Sequence, residues 1–293
     1  MKSITLLVMA AGMGSRYGGL KQLDQVGENG ETIIDYSLFD AIKSGFNKVV
    51  FVIRKEFENE FRSQITNKFA GKIEIEFAFQ DINDLPKGYN CPTDRIKPWG
   101  TGHAILATRN MINEPFVVIN GDDFYGLKSF EVIANYYRNG GKIFSMVAFQ
   151  LDNTLSEFGG VSRGLCVVKN QFLDNVTEIE NIKNNKAGIS SDSKYTLKGA
   201  EPVSMNMWGF TPDLFHYLRT LFIDFLSSKG KETKSEYLIP TVINHLINNN
   251  LEKVKVLNSS ESWFGVTYQE DKHIVKKKIQ KLIADGVYPS SLF

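Results

Sequence analysis

The 293-residue chain carries 34 Lys and Arg against 33 Asp and Glu, a formal charge of +1. It lacks the basic footprint of a nucleic-acid-binding domain, so any basic site must be local. Two cysteines, Cys91 and Cys166, stand at no metal-ligand spacing and are too few for a disulfide framework, which points to a reducing, cytoplasmic setting. With 42% hydrophobic residues and no apolar run of membrane-spanning length, a chain of this size can bury a core without staples and is expected to stay off the membrane.

Strand and helix patterns alternate from the first residues, the mark of a mostly parallel sheet flanked by helices. The apolar run 4–10 reads as a buried first strand rather than a leader, because glycine and charge follow it. A helix over 32–44 places Ile33, Tyr36, Phe39 and Ile42 on one face and closes at Gly45. A second strand covers 48–53. Phe57, Phe61, Ile65 and Phe69 then recur at helical spacing, and a third strand follows over 73–79.

The pattern stops over 81–98, which holds three of the eight prolines and reads as a long ordered loop or lid. A helix over 100–112, a strand over 116–120, a helix over 129–138 and a strand over 143–150 complete the alternation. Antiparallel segments follow at 160–168, 172–179 and 203–210, with the polar stretch 181–198 expected as a mobile hairpin loop. Helices over 213–227 and 236–248, a strand over 254–257 and a helix over 270–284 end the chain. Lys276 to Lys278 are expected on the solvated face of that last helix. No repeat and no flexible linker appears, so a single domain over 1–293 with an insertion at 81–98 is expected.

The segment AAGMGSRYGGLKQL follows the first strand, where an α/β fold presents backbone N–H groups at the carboxyl edge of its sheet. Gly12 and Gly14 begin a dinucleotide fingerprint, but Tyr17 holds its third glycine position and Arg54 ends the second strand where an acid belongs. A P-loop fails as well, since Leu20 stands in place of its lysine. What remains is a glycine loop carrying Arg16 and Lys21. It suits a triphosphate: glycines admit the backbone, a guanidinium grips two oxygens and an ammonium adds a point charge. A plain glycine turn with two solvated cations is the other reading.

These residues resemble the sugar-phosphate nucleotidyltransferases, whose signature is a G-x-G-x-R loop after the first strand followed by a lysine, and the similarity extends over most of the chain. It implies a three-layer α/β sandwich with a mixed, mostly parallel sheet, Rossmann-like, as in nucleotide-diphospho-sugar transferases. Arg16 and Lys21 are then the triphosphate ligands, with Ala11, Gly12 and Gly14 lining the loop. The short spacing is more similar to cytidylyl- and guanylyltransferases than to hexose-1-phosphate enzymes.

In KPWGTGHAIL, Gly100, Thr101 and Gly102 open a helix, where small residues let a flat base approach and free N–H groups offer hydrogen bonds. The element is similar to the family's GTGHA motif, which implies base contacts at Gly102 with Gly100 and Thr101 adjacent. The family's preceding glutamine has Gln80 as its nearest counterpart, beyond the insertion. In VVINGDDFYG a strand ends in two carboxylates, hard oxygens suited to Mg²⁺. The resemblance makes Asp122 the metal ligand and leaves Asp123 to orient or cap. It implies sugar contacts at Gly160, Glu178 and Asn206, with Ile179 where a basic residue often stands.

The main departure is SWFGVTYQED. Aligned on Trp263, the family's second metal carboxylate is replaced by Gly265; aligned on Gly-Val, Thr267 falls where some relatives use Asn. The four histidines, His103 among them, show no ligand pairing and read as structural or surface residues. The resemblance implies Mg²⁺-dependent transfer of a nucleotide from a nucleoside triphosphate to a sugar-1-phosphate or similar phosphomonoester, without nucleic-acid or membrane partners and with room for self-association. A nucleotide-sugar glycosyltransferase and a catalytically silent nucleotide-binding homologue are the alternatives.

Overall fold

The computed structural model describes residues 3–12, 21–156, 159–185, 188–265 and 271–292. Its elements in chain order are β1 (Thr5–Met9), α1 (Ile33–Lys43), β2 (Lys48–Ile53), α2 (Glu58–Phe61), β3 (Glu74–Phe79), α3 (Thr101–Leu106), β4 (Phe116–Asn120), β5 (Asp123–Phe124), α4 (Leu127–Arg138) and β6 (Phe144–Gln150). They continue with β7 (Val161–Lys169), β8 (Phe172–Asn185), β9 (Gly188–Ser190), β10 (Pro202–Phe210), α5 (Leu214–Lys229), α6 (Ile239–Asn248), β11 (Val254–Asn258), β12 (Phe264–Gly265) and α7 (Asp271–Ala284).

One mixed sheet runs β3-β2-β1-β4-β10-β6-β11-β8-β7, with β9 paired to β8 and β10 also touching β7. The first four strands are mutually parallel. β10 then inserts antiparallel between β4 and β6, and β11 lies parallel to β6. Strands buried on both faces need continuous apolar runs, and β1 and β2 supply them. Leu6 and Val8 join a core with Leu38 of α1 and Phe130 and Ile133 of α4, whereas Leu7 joins a second core with Ile105 of α3, Leu218 of α5 and Val242 of α6.

Local chemistry starts α1 where the sequence indicates. The Thr32 hydroxyl accepts from the Asp35 N–H while Thr32 N–H donates to Asp35 Oδ2 at 2.7 Å, a capping box. Lys68 Nζ also donates to that carboxylate oxygen, at 2.6 Å.

Three expected elements differ from those observed, and one observed pairing was not expected. Residues 57–69 do not form one regular helix: α2 is a single turn and Arg62–Thr66 widens into a π-helical turn. The helix expected to reach 112 ends at Leu106 in tighter turns, with Thr108 N–H donating to Ile105 O and Met111 N–H to Thr108 O. The polar stretch after 181 is not a loop throughout, because β8 runs to Asn185 and β9 pairs back on it from Ser190 to Gly188. Backbone pairing does not require apolar side chains at a sheet edge. The two-residue ladder of β5 with β12 has no counterpart in the periodicity.

No helix among the described residues is long and apolar enough to cross a membrane. The 81–98 segment contains no helix or strand and is tied down by side chains. Arg95, 2% exposed, stacks 3.4 Å over the Trp99 ring and donates to the carbonyls of Glu232, Pro98 and Ser235. Trp99 Nε1 donates to Ile82 O at 2.8 Å.

A third core seats α7. Val275 and Ile279 pack with Tyr36, Phe124, Phe264 and Tyr288, and the Phe124 and Phe264 rings stack at 4.2 Å. Lys276 and Lys277 face outward, while the exposed Lys278 sets its Nζ over the Phe264 ring, 5.1 Å from its centroid.

Below α7, Tyr288 Oη donates to Asp40 Oδ2 at 2.7 Å, while Asp40 Oδ1 is buried without a partner among the described residues. Burial pushes the Asp40 carboxyl well above the usual carboxylate range, against the lowering by the Tyr288 bond and Lys43. The folded chain therefore binds a proton there that the unfolded chain has released, so this contribution is largest at low pH. It is lost as pH rises from the ordinary value near 4 through the raised native value. In denaturant titrations between pH 5 and pH 8, Asp40→Asn is expected to flatten the loss of stability with rising pH and to be at least as stable as the parent at pH 8. An unchanged pH slope removes Asp40 as its source.

Candidate functional site

The chain runs from β1 to β2 and β3 on one side and places β4 on the other, so the crevice between the carboxyl ends of β1 and β4 is a topological switch point, where open α/β sheets bind ligands. Met9 and Asn120 are register partners, and Gly121 N–H donates to Met9 O at 2.9 Å. This brings Ala10, where the chain leaves β1, against Gly121, the residue before Asp122. A Cβ built on Gly12 first meets Gln22 Nε2 at 3.9 Å, ordinary contact, so no described neighbour demands a glycine there. Lys21 opens the short 3₁₀ turn Lys21–Leu23. Gly14, Arg16 and Thr267 lie outside the described residues.

The Gly100–Thr101–Gly102 element is shaped by a distant segment. Gly100 has φ +105°, and a Cβ there would lie 2.7 Å from Tyr237 O. One on Gly102 would lie 2.7 Å from the Tyr237 ring. Gly102 N–H donates to Tyr237 O, Tyr237 N–H to Trp99 O, and Ile239 N–H to the Thr101 hydroxyl. The expectation of free N–H groups is corrected at Gly102, whose donor is already used. Gln80, set apart by the insertion in the sequence, returns here, with its Nε2 donating to Gly100 O at 3.0 Å.

Asp122 is half-buried just beyond β4, and Asp123 is buried. Asp123 Oδ2 accepts from Asn120 Nδ2 at 2.8 Å and lies 3.3 Å from Tyr125 Oη. The β5–β12 ladder pairs Asp123 with Gly265, and a Cβ on Gly265 would lie 2.5 Å from Asp123 Oδ1. The space that a side chain at 265 needs is thus already filled by the Asp123 carboxylate. Arg163 supports this corner: its guanidinium lies 4.5 Å over the Trp263 ring and its Nε donates to Thr154 Oγ1 at 3.1 Å. Burial pulls its pKa down to about 10, the charge of Asp123 opposing. Among the described residues no group of three or more His, Cys, Asp and Glu side chains converges as a metal cage.

The expected sugar contacts come from the antiparallel half of the sheet. Glu178 is exposed on β8 opposite Gly164 of β7, and Gly164 in turn pairs with Ser204 of β10. Asn206 stands at a bulge in β10 with φ +61°, a backbone conformation that costs a non-glycine residue energy and tends to persist at functional sites. Its Oδ1 accepts from Trp208 Nε1 at 3.3 Å. Gly160 packs on β8, since a Cβ there would lie 2.2 Å from Asn181 Oδ1. Tyr125, absent from the sequence-based candidates, links the two halves: its hydroxyl accepts from Asn120 N–H at 3.1 Å and donates to Met205 O at 2.8 Å. Tyr237 was also missed, for no local pattern marks a residue whose role is to sit against two remote glycines.

The family model described as nucleotidyl transferase matches residues 6–266. No curated protein matches the sequence significantly. Among solved structures, one described as a glucose-1-phosphate thymidylyltransferase from Bacillus anthracis, in complex with sucrose, superposes with a TM-score of 0.64 at 15% identity, covering 94% of this chain and 95% of that one. The inositol-1-phosphate CTP transferase from T. maritima also gives 0.64, at 12% identity, covering 96% of this chain and 98% of that one. These likenesses establish a shared fold.

Gly100→Ala is expected to cost on the order of 1–3 kcal/mol from its backbone conformation alone, with the Tyr237 contact added. Chemical denaturation checks this, and a change below 0.5 kcal/mol is inconsistent with the packing described.

Proposed function

Since the chain belongs to the nucleotidyl transferase family, we propose that it transfers a nucleoside monophosphate from a nucleoside triphosphate to a sugar-1-phosphate, or a similar phosphomonoester, and releases pyrophosphate. The carrying observation is the β1–β4 register, which brings the end of β1 and the Asp122 carboxylate to one switch-point crevice. In this reading 1–293 works as one unit, a three-layer sandwich with every element serving that crevice.

The acceptor phosphate is already ionised at neutral pH, so the reaction needs no protein nucleophile and no general base. An acceptor oxygen forms a bond to the α-phosphorus, the bond from that phosphorus to the bridging oxygen breaks in line, and the electron pair leaves with pyrophosphate. Catalysis is positioning and charge stabilisation. Arg16 neutralises the departing pyrophosphate and Lys21 the α-phosphoryl group, with Ala11, Gly12 and Gly14 giving the phosphates access to backbone. Gly100, Thr101 and Gly102 offer the base a flat backbone surface, and Gln80 joins them. Gly160, Glu178 and Asn206 face the acceptor sugar.

The donor set fits a hard divalent cation: carboxylate oxygens, no thiolate and no imidazole pair. Asp122 would hold Mg²⁺, which would supply charge neutralisation for the phosphates. Gly265 contributes no carboxylate, and the neighbouring Asp123 Oδ1 leaves no room for one. That feature favours a second reading, a nucleotide-binding homologue without turnover.

The deciding assay offers the four common nucleoside triphosphates with several sugar-1-phosphates, inositol-1-phosphate and phosphocholine, scored by pyrophosphate release with and without Mg²⁺. Turnover with at least one pair is expected. Nucleotide binding without turnover favours the silent homologue. In the active pair, Asp122→Ala should lower kcat by at least 100-fold, about 2.7 kcal/mol, with the melting temperature unchanged. A purified Asp122→Ala protein of near-normal rate would sink the assignment.

A further inference from the structure

Two features take no part in the proposed transfer: the 81–98 insertion and the buried His103. They meet at one hydrogen-bonded chain. His103 is 1% exposed on α3, with its ring 5.0 Å from that of Phe222. Its Nε2 lies 3.0 Å from the backbone carbonyl of Asp84, inside the insertion. Its Nδ1 lies 3.4 Å from Gln80 Nε2.

The direction of every bond in this chain follows from what each group can do. A carbonyl oxygen only accepts, so the proton of the ring sits on Nε2 and points at Asp84 O. Burial lowers the His103 pKa and keeps the ring neutral, so Nδ1 carries a lone pair. Gly100 O is likewise only an acceptor. Both acceptors face the same end of the Gln80 amide, which must therefore be the NH₂ end. A flipped amide would set its oxygen against a carbonyl oxygen and a ring lone pair. Gln80 Oε1 is turned away from both, and among the described residues no side chain or backbone group donates to it.

We propose that the 81–98 insertion sets the hydrogen-bonding polarity of the nucleobase pocket. The Asp84 carbonyl fixes the His103 tautomer, His103 and Gly100 fix the Gln80 amide, and Gln80 then presents its oxygen to a base edge that carries an N–H. His103 acts as a positioning residue without touching the substrate. The insertion is held firmly enough for this task, through the Trp99–Ile82 bond, the stacked Arg95, and Arg109 donating to both Asp84 carboxylate oxygens at 3.0 and 3.3 Å. This inference rests on the proposed base site at Gly100–Gly102.

The test compares wild type with His103→Phe, which keeps an aromatic ring of similar size beside Phe222 but has neither nitrogen. Calorimetric binding of ATP, CTP, GTP and UTP is measured along with competition by inorganic tripolyphosphate, which has no base. His103→Phe is expected to weaken the preferred nucleotide about 10-fold and narrow the preference among the four, while tripolyphosphate binding and the acceptor KM stay within twofold. A preference that survives His103→Phe, or an equal loss for tripolyphosphate, overturns the proposal and leaves the transferase reading standing. A wild type that binds no nucleoside triphosphate overturns both. Independent of any variant's folding, ¹⁵N NMR of histidine-labelled wild type at pH 7.5 should show His103 neutral with its proton on Nε2. A proton on Nδ1 overturns the proposal.

Discussion

The parallel pairing of β1 with β4 is the constraint from which the rest of the structure takes its meaning. Met9 faces Asn120 in register, and Gly121 closes the ladder by donating to Met9 O. A Cβ on Gly121 would lie 3.2 Å from that of Ala10 and 3.3 Å from Met9 O, so the glycine lets the two strand ends come together. Segments more than 100 residues apart thereby open on the same crevice. The chain that leaves β1 toward Arg16 and Lys21 and the carboxylate turn that leaves β4 thus start from neighbouring strand ends.

Around that constraint the chain uses distant elements to fix local geometry. Tyr237 moulds the Gly100–Gly102 backbone, β12 braces β5, and Tyr125 ties the Asp122 turn to the bulge at Asn206. In each case a hydrogen bond or a close approach spans many residues of sequence. The positions involved are rigid because buried polar groups have one satisfied arrangement and lose free energy in any other.

The same distinction explains what the sequence could convey. Strands β2 and β4 were legible to the residue because doubly buried strands need unbroken apolar runs, and α1 because Ile33, Tyr36, Phe39 and Ile42 recur on one face up to Gly45. The places of Asp122 just past a strand end and of Gly100–Gly102 at a helix start were legible from residue type and spacing. Residues 57–69 misled, since apolar spacing of four suits a helix but does not prevent a π-helical turn. The β5–β12 ladder, the use of Gly102 N–H by Tyr237 and the return of Gln80 to the base element have no periodic or compositional trace. They are tertiary facts, and the departure at Gly265 acquires its physical reason, the Asp123 carboxylate beside it, only once that ladder is seen.

The β5–β12 ladder also has a bearing on how the protein is made. Phe264 meets Phe124 across about 140 residues of chain, so at ordinary rates of synthesis the carboxylate turn waits on the order of ten seconds on the ribosome for its bracing strand. Throughout that interval Phe124 lacks the ring that will stack on it at 4.2 Å and presents an apolar face to the surroundings. The β1–β4 crevice can close early, from the first half of the chain. The acidic corner stays unbraced until that strand arrives.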